Sequence, residues 1–527
     1  MARLHLLALI AAGLPSALTL PSNIPVKIAV EGNQKRQYTT PEDRAQAVVD
    51  TFKLSWEGYY KYAFPNDELK PVTNGFSNSS LTDVRNKWGA SAVDALSTAL
   101  VMGEKEIVNQ IISYIPSIDF SQTSTSVSLF ETTIRYLGAM ISGYDFLKGP
   151  LASLADNKAD VDALLTQSIN LANNLSYAFD TASGVPWNNL IFSNRSNDGS
   201  DNGLATVGTL ILEWVRLADL SGNSTYATLV EKAESYLLNP SPASSEPFPG
   251  LLGMNISPLT GEFQDAVGGW IGGADSYYEY LIKMYIYDPS RYATYRDAWI
   301  TAAESTIQYL TSHPTSRPDL TFVAAFDGTT LRLRSQHLAC FDGGNFILAG
   351  QTLGAQQYTA YGLALVDGCH ETYARTATRI GPEQFRWDPS SVPDNQTSFY
   401  NASGFYITDP SYSLRPEVME SYYYAYRATS DTKYRDWAWE AFVAVNATTR
   451  VGSGYSSIKD VNVVGGGGFT DFQESFWFAE VLKYSYLIQT GEDEEWQVGG
   501  GGRDGWVFNT EAHPVKVFGG SEKRGIV

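Results

Sequence analysis

Two carboxylates three residues apart follow a proline in Leu414-Arg415-Pro416-Glu417-Val418-Met419-Glu420-Ser421. A proline at the first helical position loses no hydrogen bond, because that N–H lacks a partner in any case, so Pro416 predicts where a helix begins. Glu417 and Glu420 then share its first turn and one face, beside Arg415. Acids in a first turn also simply complement the helix dipole, so one example decides little. The pattern recurs. Glu131 stands one turn from Arg135 in the apolar stretch Leu129-Phe130-Glu131-Thr132-Thr133-Ile134-Arg135. Asp275 follows Gly272-Gly273-Ala274 and precedes Ser276-Tyr277-Tyr278-Glu279, which reads as a capping box at the head of an aromatic helix. Glu474 comes after the glycine tract at 465–468 and Asp471, and leads into Ser475-Phe476-Trp477-Phe478-Ala479-Glu480. Four segments thus bring carboxylates to helix starts or interiors with no nucleophilic Ser or Cys arrangement. That chemistry is general acid and base hydrolysis, as in glycosidases.

Other chemistries fit less well. His5, His313, His337, His370 and His513 show no His-x-x-x-His spacing, and two cysteines cannot build a thiolate zinc site. The glycine tracts at 465–468 and 499–502 lack the Gly-Lys-Ser/Thr ending of a phosphate loop and read as turns. Clustered carboxylates suit a hard cation such as calcium, but no EF-hand loop is present, so such a site must assemble in three dimensions.

The elements that must position these groups are helices. Thr40-Pro41-Glu42-Asp43 opens one whose apolar stripe runs through Ala45, Val49, Phe52 and Trp56. Similar stripes cover roughly 90–114, 125–147, 156–178, 204–220, 224–238, 275–287, 289–311, 343–376, 416–428, 431–446 and 471–488, about fourteen helices once the longer spans are divided. Strand signals are short, as in Thr321-Phe322-Val323-Ala324. No compositional linker divides 40 from 515, so one all-α domain is expected. Paired helices in such number close most economically into a toroid, in which each hairpin buries its stripe against both neighbours and the turns at one end face a central cavity.

The 527 residues carry a formal charge of −20, which excludes the basic footprint that nucleic acid or an anionic membrane surface requires. A neutral partner fits better. Twelve Trp, 32 Tyr and 24 Phe supply faces on which sugar rings stack, though most such side chains fill cores. Arg3, the apolar run at 6–14 and Pro15-Ser16-Ala17-Leu18 read as a secretory signal peptide over 1–20. Residues 21–39 follow as a short extension or propeptide, with Lys35-Arg36 as either a cleavage site or a plain linker, and 516–527 form a tail. Export agrees with eight Asn-x-Ser/Thr sequons at Asn78, Asn174, Asn194, Asn223, Asn255, Asn395, Asn401 and Asn446. In that oxidising compartment Cys340 and Cys369 are expected to pair, the alternative being two buried thiols. No later segment reaches 18 uninterrupted apolar residues, so no membrane span is expected. The expected location is the secretory pathway, with the mature chain secreted or held in vesicles, as a monomer.

In order along the chain, Trp88-Gly89 with Val93-Asp94-Ala95-Leu96, Phe130-Glu131 with Ile134-Arg135, Leu212-Glu213, Asp275-Ser276-Tyr277-Tyr278-Glu279-Tyr280, His337-Leu338 with Cys340-Phe341, Pro382-Glu383, Leu414-Arg415-Pro416-Glu417, Glu474-Ser475-Phe476-Trp477 and Phe508-Asn509-Thr510-Glu511-Ala512-His513-Pro514 form a set. Together they resemble glycoside hydrolase family 47, the class I α-1,2-mannosidases, and most of all its secreted fungal members, from about 42 to 515. The resemblance implies an (α/α)7 barrel, a Ca2+ ion at its floor, and inverting hydrolysis of terminal α-1,2-linked mannose from high-mannose oligosaccharides or glycoproteins. It makes Glu131 the general acid, Glu417 the general base and Asp275 a third essential carboxylate without an assigned role. An inverting pair leaves roughly 6.5–9.5 Å between acid and base carboxyls for the attacking water. Thr510 would hold calcium directly, with Glu383, Glu420, Glu480 and Glu511 around it through waters. Phe476 would stack on the terminal mannose, and Arg135, Glu213, Arg415 and Glu480 would bind sugar or steer carboxylates. Glu213 and Glu279 also read as helix-face or capping acids, and Arg135 as a plain partner of Glu131. His337 and His513 are taken as structural, and Cys340–Cys369 matches the family's disulfide.

Three positions depart from the family pattern. Gly273 stands where enzymes of the endoplasmic reticulum carry Arg, and the missing side chain implies an open cleft and broad trimming from nine mannoses towards five. Thr206 and Ser97 replace acids found in many relatives, which bears on substrate contacts more than on chemistry. A catalytically weak lectin-like relative that binds mannose glycans in glycoprotein quality control is the alternative reading, and another helical-toroid glycosidase or lyase a third.

Overall fold

The computed structural model describes residues 38–78, 86–498 and 505–519. The expected signal peptide, nearly all of the extension with Lys35-Arg36, the glycine tract at 499–502 and the tail beyond 519 lie outside the described residues.

Seven helical hairpins form two concentric rings. The inner ring comprises Ala90–Val101, Gly138–Leu147, Ile211–Ser221, Asp275–Tyr287, Phe341–Leu353, Glu417–Thr429 and Leu482–Leu487. Each packs on the next and the last packs on the first, which closes the barrel. Each inner helix is backed by one outer helix, in order Lys105–Tyr114, Lys158–Leu175, Thr225–Leu238, Ala293–Ser305, Gln356–Ala374, Thr432–Thr449 and, closing chain end on chain start, Pro41–Tyr62. This is the all-α (α/α)7 toroid.

Composition explains the two rings. All twelve residues of Ala90–Val101 are buried, and small Ala, Ser and Thr side chains let its neighbours approach on every side. Outer helices such as Lys105–Tyr114 bury only one stripe, here Ile107, Val108, Ile111 and Ile112. The Cys340–Cys369 disulfide forms, tying an inner helix to its outer partner across 29 residues, which is worth about 3 kcal/mol on the chain-entropy account.

The strands are short and antiparallel, in two- and three-stranded sheets within connections, including Phe322–Val323. One of them positions the site: Trp506–Phe508 pairs with Pro514–Lys516, packs against Asp275–Tyr287 and Gly138–Leu147, and carries its tip, Asn509 to His513, into the barrel. Gly138 permits this, since a Cβ there would meet Asn509 Nδ2 at 2.6 Å.

Several boundaries differ from the sequence expectation. Pro416 is the N-cap rather than the first helical residue, so Glu417 opens its helix. Ala274 caps the Asp275 helix without a side-chain bond, and no capping box forms there. Residues 471–475 are not helical; the chain turns helical only at Phe476 and runs with π geometry over Trp477–Val481. Asn446 leaves the set of glycosylation candidates, because it is buried in Thr432–Thr449 and its side-chain oxygen accepts from Tyr455 Oη at 2.6 Å. Among the described residues no helix is long and apolar enough to cross a membrane.

Candidate active site

A cavity of about 440 Å³ opens at the end of the barrel opposite no single element but between several, and seven carboxyl groups line it with two guanidiniums: Glu131, Asp275, Glu279, Glu417, Glu420, Glu480 and Glu511 face Arg135 and Arg415. Asp275 with Glu279 and Glu417 with Glu420 come from two inner helices, Glu131 and Glu480 from the turns that lead into two others, and Glu511 from the hairpin tip.

Glu131 is delivered by Leu129–Thr132, whose N-cap Ser128 accepts the Glu131 N–H at 3.2 Å. The helix then widens to π geometry over Thr133–Leu137, where the wider turn re-aims Arg135. Arg135 Nε donates to Glu131 Oε2 at 2.9 Å, Nη1 bonds Glu511 and lies 3.7 Å from Asp94, and the guanidinium stands 5.5 Å from the Phe476 ring. One cation therefore links the expected acid, the hairpin tip and the Phe476 ring. Trp477–Val481 is a second π turn, and it carries Glu480.

Glu417 receives a different environment. Burial raises its carboxyl, but the hydrogen bond and charge of His337, with Arg415, outweigh burial and hold it below the usual range. His337 Nδ1 lies 2.7 Å from Glu417 Oε2 and its Nε2 lies 2.7 Å from Tyr373 Oη. Leu414, three residues ahead, holds a left-handed φ of 59° while fully buried, a strained conformation of the kind that collects at functional sites. Asp275 is the counterpart: burial, reinforced by Glu279 and Glu417, pushes its carboxyl up to about 7. Glu420 rises to about 8 from burial and Glu279, and burial with Glu511 holds Glu480 well above its ordinary value.

This excess of buried negative charge, made entirely of oxygen donors, fits a hard cation. Thr510 sits in the lining with its N–H on Tyr280 Oη at 3.1 Å; its hydroxyl and carbonyl have no partner among the described residues. No three His, Cys, Asp or Glu side chains among the described residues are arranged to ligate an ion directly; the Thr510 oxygens are the ones in the lining that could hold one. Asn509 holds the tip: its Nδ2 donates to Ile134 O and Glu213 Oε1 at 2.9 and 2.8 Å, and its Oδ1 accepts from the Glu511 and His513 amides.

Two expected ligands are not in the lining. Glu383 is engaged elsewhere: its carboxylate accepts from Arg415 Nε at 2.5 Å and from Ser413 N at 2.8 Å, so it orients Arg415. Glu213 is fully buried, accepting from Tyr280 Oη at 2.7 Å and from Asn509, and burial pushes it up to about 8; through Asn509 it supports the tip. Thr206 and Gly273 do line the cavity, whereas Ser97 is buried between His513 Nδ1 and Lys483 Nζ. Sequence reasoning passed over Asn188 and Asn189, which form part of the wall, and Asn509, which stood inside a recognised motif without a role.

A closed helical toroid with opposed carboxylates in different electrostatic settings around one sugar-sized cavity defines a glycoside hydrolase of the toroidal class. The sequence matches the profile of glycosyl hydrolase family 47 over residues 51–517, and the chain belongs to that family. It is 56% identical to a mannosyl-oligosaccharide alpha-1,2-mannosidase of Coccidioides posadasii over 96% of each chain, and 57% identical to that of Penicillium citrinum over 90% of this chain and 92% of the relative. The solved alpha-1,2-mannosidase from Trichoderma reesei superposes with a TM-score of 0.88 at 49% identity, covering 91% of this chain and all of that one.

Proposed function

We propose that this chain is a calcium-dependent, inverting exo-α-1,2-mannosidase that trims high-mannose N-glycans from nine mannoses towards five, in the secretory pathway, secreted or held in vesicles, and as a monomer. The observation that carries the reading is the convergence of Glu131, Asp275 and Glu417 on one cavity with Thr510 in the same lining. Glu417, kept ionised by His337, takes a proton from the water that attacks the anomeric carbon. Glu131 gives a proton to the departing glycosidic oxygen, and Arg135 sets its orientation. Asp275 is a second candidate for that donor, because its carboxyl keeps a proton up to about 7. Phe476 stacks on the terminal ring. Calcium, when bound by Thr510 and the surrounding carboxylates, would supply coordination of sugar hydroxyls. Gly273 leaves its side of the cleft open, which supports broad rather than single-residue trimming.

The test is incubation with a nine-mannose N-glycan, with calcium and after chelation, followed by glycan profiling and by NMR of the first-formed anomer. Calcium-dependent progress to five mannoses with release of β-mannose is expected. Retained glycan without hydrolysis would replace the enzyme reading by the lectin-like one.

A further inference from the structure

We infer that Asn188 and Asn189 form the binding wall for the sugar next to the terminal mannose, with Asn189 as the residue that discriminates oligosaccharide from free mannose. The inference rests on the exo-mannosidase reading, in which the terminal ring lies deep, against Phe476 and the hairpin tip. The rest of the chain must then leave through the mouth.

At the mouth, Val127–Ser128, Asn189–Ile191 and Ser196–Asn197 form a small antiparallel sheet directly ahead of the Glu131 helix. Asn188 and Asn189 are half-buried in the cavity lining, and Asn189 bonds outward to the exposed Asp198. Their amides have one possible orientation. Asn188 Oδ1 accepts the Phe130 N–H at 3.1 Å and the Ser128 hydroxyl at 3.3 Å, so its nitrogen faces the other way and donates to Asn189 Oδ1 at 3.0 Å. Asn189 Nδ2 donates to the carboxylate of Asp198 at 2.7 Å, an acceptor that admits no reversal. Each amide nitrogen keeps a second N–H that no described residue takes. Two adjacent, pre-oriented, uncharged donors suit the hydroxyl oxygens of a mannose unit and add no charge to an already acidic cavity. Asn188 is also tied to the backbone that carries Glu131, so Asn189 is the cleaner position to test.

The experiment uses the full chain with Glu417→Gln, which removes turnover, and calorimetry with calcium present. Adding Asn189→Ala is expected to weaken binding of α-1,2-mannobiose about tenfold, the loss of one well-oriented hydrogen bond to a sugar, and to leave binding of free mannose unchanged. Asp198→Ala, which frees the Asn189 amide to rotate, is expected to weaken mannobiose binding less. Equal mannobiose affinity with and without Asn189→Ala, or equal losses for mannobiose and mannose, would overturn the assignment. Failure of the unsubstituted chain to hydrolyse mannobiose would count against the exo-mannosidase reading itself.

Discussion

The imidazole of His337 bridges Glu417 and Tyr373, with 2.7 Å on each side and both the histidine and the tyrosine buried. The Glu417 carboxylate accepts, so Nδ1 carries a proton, while Nε2 accepts the tyrosine hydroxyl when the ring is neutral and donates to it when the ring is charged. The arrangement keeps Glu417 ionised and oriented although it is buried.

Replacing His337 therefore acts through Glu417. His337→Ala is expected to lower kcat roughly 10–100-fold through loss of carboxylate orientation. It should also move the acid limb of the kcat/KM profile to higher pH, because removing the His337 hydrogen bond and charge leaves burial to raise the Glu417 carboxyl. A pH profile whose acid limb does not move would show that His337 contributes packing alone.

The carboxyl cluster sets a pH-dependent stability for the metal-free protein. Asp275, at about 7, and Glu420, at about 8, lie above their ordinary values of 3.8 and 4.5. Between those limits the folded state binds more protons than the unfolded state, so this contribution is present in full at low pH and is lost as pH rises through 7 to 8. Chelated protein should show a lower Tm at pH 8 than at pH 6. Calcium should raise Tm more at pH 8, where the cluster is ionised. Thermal melts with and without chelator at both pH values decide this, and a calcium shift that is the same at both would oppose it.

How much of this was readable in advance depended on whether chemistry followed local pattern. Glu417, Asp275 and Glu131 were legible because Pro416, the 272–273 glycines and Arg135 mark their places along the chain. That Glu213 and Glu383 stand outside the lining was not legible, because residue type and motif do not fix which way a side chain faces; only the packed barrel turns Glu213 towards Asn509 and Glu383 towards Arg415. The π turns at Thr133–Leu137 and Trp477–Val481, which aim Arg135 and Glu480, leave no mark in a pattern read at 3.6 residues per turn. Asn188 and Asn189 carried no signal in the sequence, and they reach the cavity only once the strands beside Ser128 pair.

Gly273 tests the open cleft. Its φ of +96° lies where side chains are strained, and an added Cβ would meet Met254 Cε at 2.9 Å, the movable end of a flexible side chain. Gly273→Arg should fold with a loss of about 1–2 kcal/mol from the left-handed backbone and place a long cation in the cavity lining. Trimming of the nine-mannose glycan is then expected to stall at eight mannoses while the first cleavage persists. Unaltered progress to five mannoses would remove Gly273 from the account of specificity.

Glycan occupancy should follow exposure. Asn194, Asn223, Asn395 and Asn401 are exposed in short turns or a short helix, and the Asn194 and Asn223 side chains already fold back on the backbone amide two residues on. Asn446 is 5% exposed, and its amide oxygen is engaged by the buried Tyr455 hydroxyl. A glycan there would have to displace that contact and open the Thr432–Thr449 helix from its inner partner. Peptide mapping by mass spectrometry of protein secreted from a eukaryotic host should find sugar on Asn194, Asn223, Asn395 and Asn401 and none on Asn446. Full occupancy of Asn446 in folded, active protein would contradict the packing of this outer helix.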